Sequence, residues 1–430
     1  MIRKGLSKTT KIVSVIVIII IIIGVAVIFW PKGGGPVSEI KIGVVLPLSG
    51  KLAETGADLK QGIEFAVDEI NSKGGIKNLG GAKIKLVYGD SAGDPSKGAA
   101  EAERLITEEK VVAMMGAYQS SVTKTVSEVC ERYHVPHITV SSSPRLTQRG
   151  YKWFFRNQAH DEMYTEYLFG FIDSLNETYG NIKTIAVIHE DTEWGTACKD
   201  AIVSIADKRG YEVVKVVSYH AATVTSLDAE VASLKAANPD IVFANCYISD
   251  AILFVETAKK LDFNPKAIIA QDAGFVFPAY MKQVGKDGFY IFSRAAFNID
   301  LVQVNSKIKE INDAYKAKYG VDLDEKSANQ YTNAYVLYKA IEEAAKKSSP
   351  SDLTSFRTAI RDALRNIYLS PEEIIMPWKG VKFDETGQNI LATGLVIQMM
   401  PDDGKYHIVW PKEYATRTLI YPMPKWSERG

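Results

Sequence analysis

Cysteine is scarce. Cys130, Cys198 and Cys246 are too few and too scattered for a disulfide framework in 430 residues, and none belongs to a CxxC or to a Cys/His pair at metal-ligand spacing. They read as buried free thiols. Net charge is absent as well: 51 basic residues balance 51 acidic ones, and nothing in that balance suggests a nucleic-acid partner. The chain has no G-x-G-x-x-G and no Walker A sequence, so loops of the nucleotide-cradling kind are excluded. Ser121-Val122-Thr123-Lys124 matches the S-x-x-K of serine acyl-transfer enzymes, but the Lys-Thr-Gly and Ser-Asp-Asn that accompany it there are missing. Pro136 between His134 and His137 breaks the helix that would align the two rings on one metal. The expectation is a protein that is not an enzyme and holds no cofactor and no metal.

Long apolar runs are missing outside residues 12–30. That run would be about 28 Å long at ~1.5 Å per helical residue, close to the hydrocarbon thickness of a bilayer. Arg3, Lys4, Lys8 and Lys11 precede it, which by the positive-inside tendency leaves residues 1–11 as a cytoplasmic tail and the rest outside. Residues 12–30 are therefore expected to be a membrane anchor and 31–38, with Gly33-Gly34-Gly35-Pro36, a flexible linker. A cleaved signal peptide with a secreted product is the alternative; the exit Phe29-Trp30-Pro31-Lys32 lacks a small-x-small site.

Beyond the linker, strands and helices alternate in two similar halves. In the first, strands are expected at 41–46, 83–88, 111–118 and 137–140, with helices from about 56 to 71 and from Asp94-Pro95 to about 107. A further helix leaves the turn GAYQSS, with Val122, Val126, Val129 and Tyr133 on one face. In the second half, strands are expected at 184–190, 212–217, 241–246 and 266–270. Helices between them end near 208, 237 and 261, the middle one capped by Ser226. Three amphipathic helices, about 301–319, 328–347 and 351–366, and strands at 381–383 and 391–399 complete the chain. The fold class is α/β, two open parallel-sheet lobes, and such late helices require at least one lobe to be discontinuous.

Small hydroxyl residues end two neighbouring strands of the first half: Gln119-Ser120-Ser121 starts a helix, and Ser141-Ser142-Ser143 ends a strand. A helix start with hydroxyls beside it suits an anion such as a carboxylate. By position, Tyr118–Ser121 corresponds to 247–250 of the second half, and Ser141–Ser143 to Gln271-Asp272. Facing lobes would gather these ends around one cleft.

The chain resembles the extracytoplasmic solute-binding proteins of the leucine/isoleucine/valine-binding type, class I of the periplasmic binding proteins, over about residues 40–411. The motifs are IGVVLPLSG (42–50), GADLKQGIEFAVDEINSKGGI (56–76), LTQRGY (146–151), FFRNQAHD (154–161), ANPDIVF (237–243) and VKFDETGQN (381–389), weak singly and specific in this joint order. The resemblance implies two lobes, 39–160 with 293–390 and 161–292 with 391–430, joined by crossovers near 157–162, 292–297 and 389–391. It implies that Ser120, with Ser141 and Ser142, holds a ligand carboxylate, that Asp272 receives an ammonium, and that Trp194 and Tyr247 cover an apolar part. Tyr118, Gln119 and Ser143 adjoin these positions. Trp194 stands where the family commonly has tyrosine, and the serine triplet replaces a looser Ala/Thr pattern. The function implied is capture of an amino acid, branched-chain or otherwise apolar, for the permease and ATPase subunits of an ABC importer. A receptor for an amide, urea or aromatic acid, or a sensory ectodomain, is the alternative reading of the same fold.

Overall fold

The structure is a computed structural model that describes residues 37–429. The expected tail at 1–11, the anchor at 12–30 and most of the linker lie outside the described residues. Among those described, no helix is long and apolar enough to cross a membrane.

The elements run β1 (Glu39–Leu46), α1 (Ala53–Ser72), β2 (Lys83–Asp90), α2 (Pro95–Thr107), β3 (Ala113–Gly116), α3 (Ser120–Arg132), β4 (His137–Thr139), β5 (Phe154–Arg156) and α4 (Asp161–Tyr179). Then come β6 (Thr184–Glu190), α5 (Glu193–Lys208), β7 (Glu212–Tyr219), α6 (Asp228–Ala237), β8 (Ile241–Asn245), α7 (Ile248–Lys260), β9 (Ala267–Ala270), α8 (Pro278–Val284) and β10 (Phe292–Ala295). The last part holds α9 (Ser306–Tyr319), α10 (Glu325–Ala345), α11 (Leu353–Asn366), β11 (Tyr368–Leu369), β12 (Val381–Lys382), β13 (Leu395–Met399) and β14 (Tyr406–Trp410).

Two α/β sheets result. One has the order β2-β1-β3-β4-β5 and is parallel throughout; the other has the order β14-β13-β10-β9-β8-β6-β7. The second is mixed, because β13 pairs antiparallel with β10 and with β14, so the expectation of purely parallel sheets is corrected at that edge. A strand that returns after three helices can enter an existing sheet only at a free edge, and direction is unconstrained there. Residues 293–295, placed with the first lobe on sequence, pair as part of β10 with β9 and β13. The chain passes between the sheets after β5, after β10 and before β13.

Local chemistry explains most boundaries. Asp94 accepts from the Lys97 N–H with Pro95 in the first turn, as read from sequence. Helix α3 turns Val122, Val126, Val129 and Cys130 onto Leu105, Ile106, Val111 and Met114 in one buried cluster, which fixes where its first residue points. All three cysteines are free and buried.

Three helix starts differ from expectation in ways that capping explains, and one helix is additional to those expected. Helix 301–319 begins at Ser306, because the Asn305 side chain accepts from the Lys307 and Ile308 N–H groups; a short 3₁₀ turn, Ile299–Gln303, precedes it. Helix 328–347 begins three residues earlier at Glu325, where Asp324 and Ser327 cap each other's backbone reciprocally. Helix α6 starts at Asp228 after Leu227, with Ser226 Oγ accepting from the Asp228 N–H just outside it. Helix α4 was not expected at all, although Tyr164, Leu168, Phe171, Ile172 and Leu175 are buried at helical spacing and His160 caps it.

Candidate functional site

At the carboxyl ends of the strands a cavity holds about 390 Å³ of space free of protein atoms, part of it open to solvent. The five-stranded side contributes Tyr118, Ser120, Val140, Ser141 and Ser142; the seven-stranded side contributes Trp194, Tyr247, Asp272 and Ala273. Of the nine residues singled out on sequence, seven line this space.

Ser120 is the first residue of α3, where the opening N–H groups of a helix have no intrahelical acceptor. Its Oγ accepts from the Ser143 N–H at 3.3 Å and retains its own proton to donate. Ser141 has a different job: its Oγ lies 2.9 Å from both the Ala117 and Tyr118 carbonyls and beside Thr123 Oγ1. Its hydroxyl proton is thereby engaged in joining the β3–α3 turn to the end of β4. The Ser142 hydroxyl lies beside Asp161. Ser143 is not on the cavity; its Oγ donates to Glu193 Oε1 at 3.0 Å. Gln119 faces a separate groove shared with Lys51, Ser121 and Ser249. The rings of Trp194, in the first turn of α5, and Tyr247, immediately before α7, are 5.0 Å apart, and Tyr118 is 6.2 Å from Tyr247. They form an aromatic wall that spans both sides.

The opposite end is charged, which the sequence reading missed. Asp272 comes after β9 with φ of 63°, and Ala273 after it has φ of 40°, two non-glycine residues in succession in the left-handed region. Asp272 Oδ2 is 2.5 Å from Lys326 Nζ and 3.3 Å from Arg294 Nη1. Burial would raise this carboxyl, but Lys326 and Arg294 outweigh it and hold it below the usual carboxylate range. Glu325 Oε1 lies 3.5 Å from Lys326 Nζ and 3.8 Å from Arg294 Nη1. Burial, reinforced by the Asp272 charge, pushes Glu325 up to about 7. Arg294 stacks on the Tyr164 ring at 3.9 Å, and its Nη2 is 3.6 Å from Asp161 Oδ1. Burial also raises Asp161. Gln158 and Asn329 close this end, linked by Asn329 Nδ2 donating to Gln158 Oε1 at 3.0 Å.

Four buried polar atoms of lining residues have no hydrogen-bond partner among the described residues: Asp272 Oδ1, Arg294 Nη1 and Nε, and Asn329 Oδ1. Such atoms cost free energy unless something enters to meet them. The two sides are also tied directly. Besides Lys326 on Asp272, Lys51 Nζ donates to the Ala222 carbonyl at 2.9 Å, and Arg145 Nη2 lies 2.5 Å from Asp200 Oδ2.

Lys326 and Glu325 escape a reading that starts their helix at Ala328; the Asp324-x-x-Ser327 cap was the available signal. Arg294 was legible as one charge inside the apolar run YIFSRAAF. Among the described residues, no cluster of His, Cys, Asp and Glu could hold a metal ion. His137 is buried against the Gly116 carbonyl, while His134 stacks on Trp153, so the two histidines part.

The family model of the periplasmic binding proteins matches residues 39–395. The Leu/Ile/Val-binding protein homolog 7 of Brucella suis is 31% identical over 404 residues, covering 91% of this chain and 96% of that protein. Homolog 8 of Brucella abortus is 31% identical over 398 residues, covering 90% and 94%. Among solved structures, the leucine-binding protein LivK of Thermotoga maritima superposes with a TM-score of 0.74 at 22% identity, over 86% of this chain and 97% of that one. LivJ of Streptococcus pneumoniae, in complex with isoleucine, gives 0.70 at 22% identity, over 87% and 100%. The chain belongs to the periplasmic binding protein family, as a class I member of the leucine/isoleucine/valine-binding type.

Proposed function

We propose that this chain is the capture component of an ABC importer, taking up an amino acid in the cavity between its two sheets by hinge closure. The observation that carries the reading is convergence: hydroxyl donors at a helix start on one side meet an aromatic pair and an acid from the other, and neither side alone completes the site. Ser120 and the first-turn N–H groups of α3, with Ser142, receive the carboxylate. Ser141 positions that loop. Asp272 Oδ1, the oxygen left over by Lys326, takes the ammonium, and Trp194 with Tyr247 covers the side chain. The lobes are 39–160 with 293–390 and 161–292 with 391–430, the β10 residues excepted. The domain works on the extracytoplasmic side, held by residues 12–30 or released after cleavage, and hands its solute to permease and ATPase subunits. The ligand stabilises the closed form through its better contacts there. Relatives named for leucine, isoleucine and valine support an amino-acid ligand, and the aromatic wall supports an apolar portion in it.

A second reading, an amide, urea or aromatic acid, is favoured by one observation: Asp272 is already partnered by Lys326 and Arg294. A thermal-shift screen of the purified protein against amino acids, amides and aromatic acids separates the two. A ligand at a hundred times its Kd stabilises by about 2.7 kcal/mol. A response to amino acids that weakens about tenfold or more in Ser120→Ala supports the site as drawn, since a hydrogen bond to a charged group is worth ~1.5–3 kcal/mol. A response to amides alone, unchanged in Asp272→Asn, removes the ammonium site.

A further inference from the structure

We infer that the captured solute carries a second oxygen-bearing group, a terminal carboxylate or carboxamide on its side chain, received by Lys326 and Arg294, and that these two residues select against purely aliphatic side chains. The inference rests on the amino-acid reading above. Its ground is the composition of the cavity. Aliphatic lining is limited to Val140 and Ala273, whereas two cations reach the surface of the same space.

Lys326 has three N–H donors, of which Asp272 Oδ2 at 2.5 Å and Glu325 Oε1 at 3.5 Å account for two. Its carbon chain is buried, and the ammonium sits 5.8 Å from the Tyr118 ring and 5.6 Å from that of Phe277, so water is not its obvious third partner. Arg294 Nη1 approaches two carboxylates yet makes no hydrogen bond, and Arg294 Nε is also unpartnered. The unpartnered atoms are therefore of both kinds. Asp272 Oδ1 and Asn329 Oδ1 call for donors, which an ammonium supplies. Lys326 and Arg294 call for an acceptor, and the α-carboxylate is already taken by the serine end of the cavity. A leucine side chain would press methyl groups against desolvated donors and satisfy none of them. A carboxylate or carboxamide oxygen meets them at the end where they converge.

The test is titration calorimetry of the full-length protein, after exhaustive dialysis, with glutamate, glutamine, leucine and norleucine. The wild-type ranking decides without any variant: glutamate or glutamine should bind at least about tenfold tighter than leucine and norleucine, the worth of one charge-assisted hydrogen bond. Glutamate ahead identifies a carboxylate, glutamine ahead a carboxamide, and either supports the inference. Lys326→Met should shrink that advantage by about tenfold, whatever it does to affinity for amino acids as a whole, and Lys326→Arg should keep most of it. Leucine or norleucine binding tightest, or a ranking that Lys326→Met leaves intact, overturns the inference and leaves amino-acid capture standing. Silence from these four ligands, together with silence from the amino acids in the thermal-shift screen, overturns both.

Discussion

Replacing Arg156 by methionine tests whether the serine loop is held from behind. Arg156, at the end of β5, is fully buried, and among the described residues no carboxylate lies within salt-bridge distance of it. Burial lowers its pKa to about 9, so the guanidinium remains charged at neutral pH. Nε donates to Gln388 Oε1 at 2.6 Å, Nη1 to the Ser143 carbonyl at 2.5 Å and Nη2 to Thr147 Oγ1 at 2.8 Å; Nη1 is also 3.5 Å from the Ser141 carbonyl. The fork thus spans from the 381–389 turn to the Ser141–Ser143 loop. Three charge-assisted bonds at ~1.5–3 kcal/mol each give a gross ~4.5–9 kcal/mol. Relief from burying a cation offsets part of this, and three orphaned acceptors add to it, so the net loss should be about 3–5 kcal/mol. Against a total stability of ~5–15 kcal/mol that is a large fraction. Guanidinium denaturation should show a lower midpoint with an unchanged slope, and ligand affinity should fall because Ser142 and the Ser143 N–H lose their support. Arg156→Lys should not rescue, since one ammonium cannot reach acceptors in three directions. A methionine variant within about 1 kcal/mol of wild type, with equal affinity, would refute this account of the loop.

Gly62→Ala should destabilise by about 1–3 kcal/mol in the same denaturation assay, because a Cβ there would sit 2.7 Å from Ser327 Cα where α1 crosses α10; it should also weaken ligand binding by displacing Lys326. Asp58 is raised to about 7 by burial and then by the Asp324 and Glu54 charges. Its folded pKa exceeds its ordinary one, so stability should decline as pH rises between about 4 and 7 and stay low above; Asp58→Asn should remove that decline and raise Tm at pH 8. Glu325, facing Asp272, Lys326 and Arg294, has the same sign, with stability lost as pH rises through its value of about 7. Glu325→Gln should match wild type at pH 5 and exceed it in Tm at pH 8, and an equal difference at both pH values would count against a buried protonated acid.

Much of the fold was legible because the apolar periodicities are strong and their punctuation is chemically plain. The strand GAYQSS enters and the helix that leaves it were readable from Val122, Val126 and Val129 at helical spacing, and Asp94-Pro95 announced its own helix. The misses share a cause. Helix α4 carries its apolar residues at the right period, but the motif FFRNQAHD points to a crossover and so away from the helix that begins at its end. β5, with three residues, is shorter than the window in which alternation can be recognised, and β10, with four, is at its lower limit and carries Arg294 in its middle. The antiparallel pairing of β13 with β10 joins distant parts of the chain, which no local pattern encodes, whereas the β13–β14 hairpin turns at Asp402-Asp403-Gly404, a local signal that the strand assignment leaves unused.

The site divides along the same line. Ser120, Ser142, Tyr247 and Asp272 sit at ends of elements whose order repeats in the two halves, so correspondence of position sufficed to gather them, whereas Trp194 came from the family resemblance. Lys326 and Arg294 belong to no repeat. Lys326 reaches the cavity only because α10 packs on α1 and begins at Glu325, and Arg294 only because β10 inserts beside β9. Both facts are tertiary. An Asp272 considered alone reads as a free carboxylate waiting for an ammonium; beside two cations, one of its oxygens is already taken. A position in a family pattern therefore predicts which residues face the cavity better than it predicts what charge the cavity presents. The second quantity governs which solute is held, because a buried group is defined by the partners it lacks.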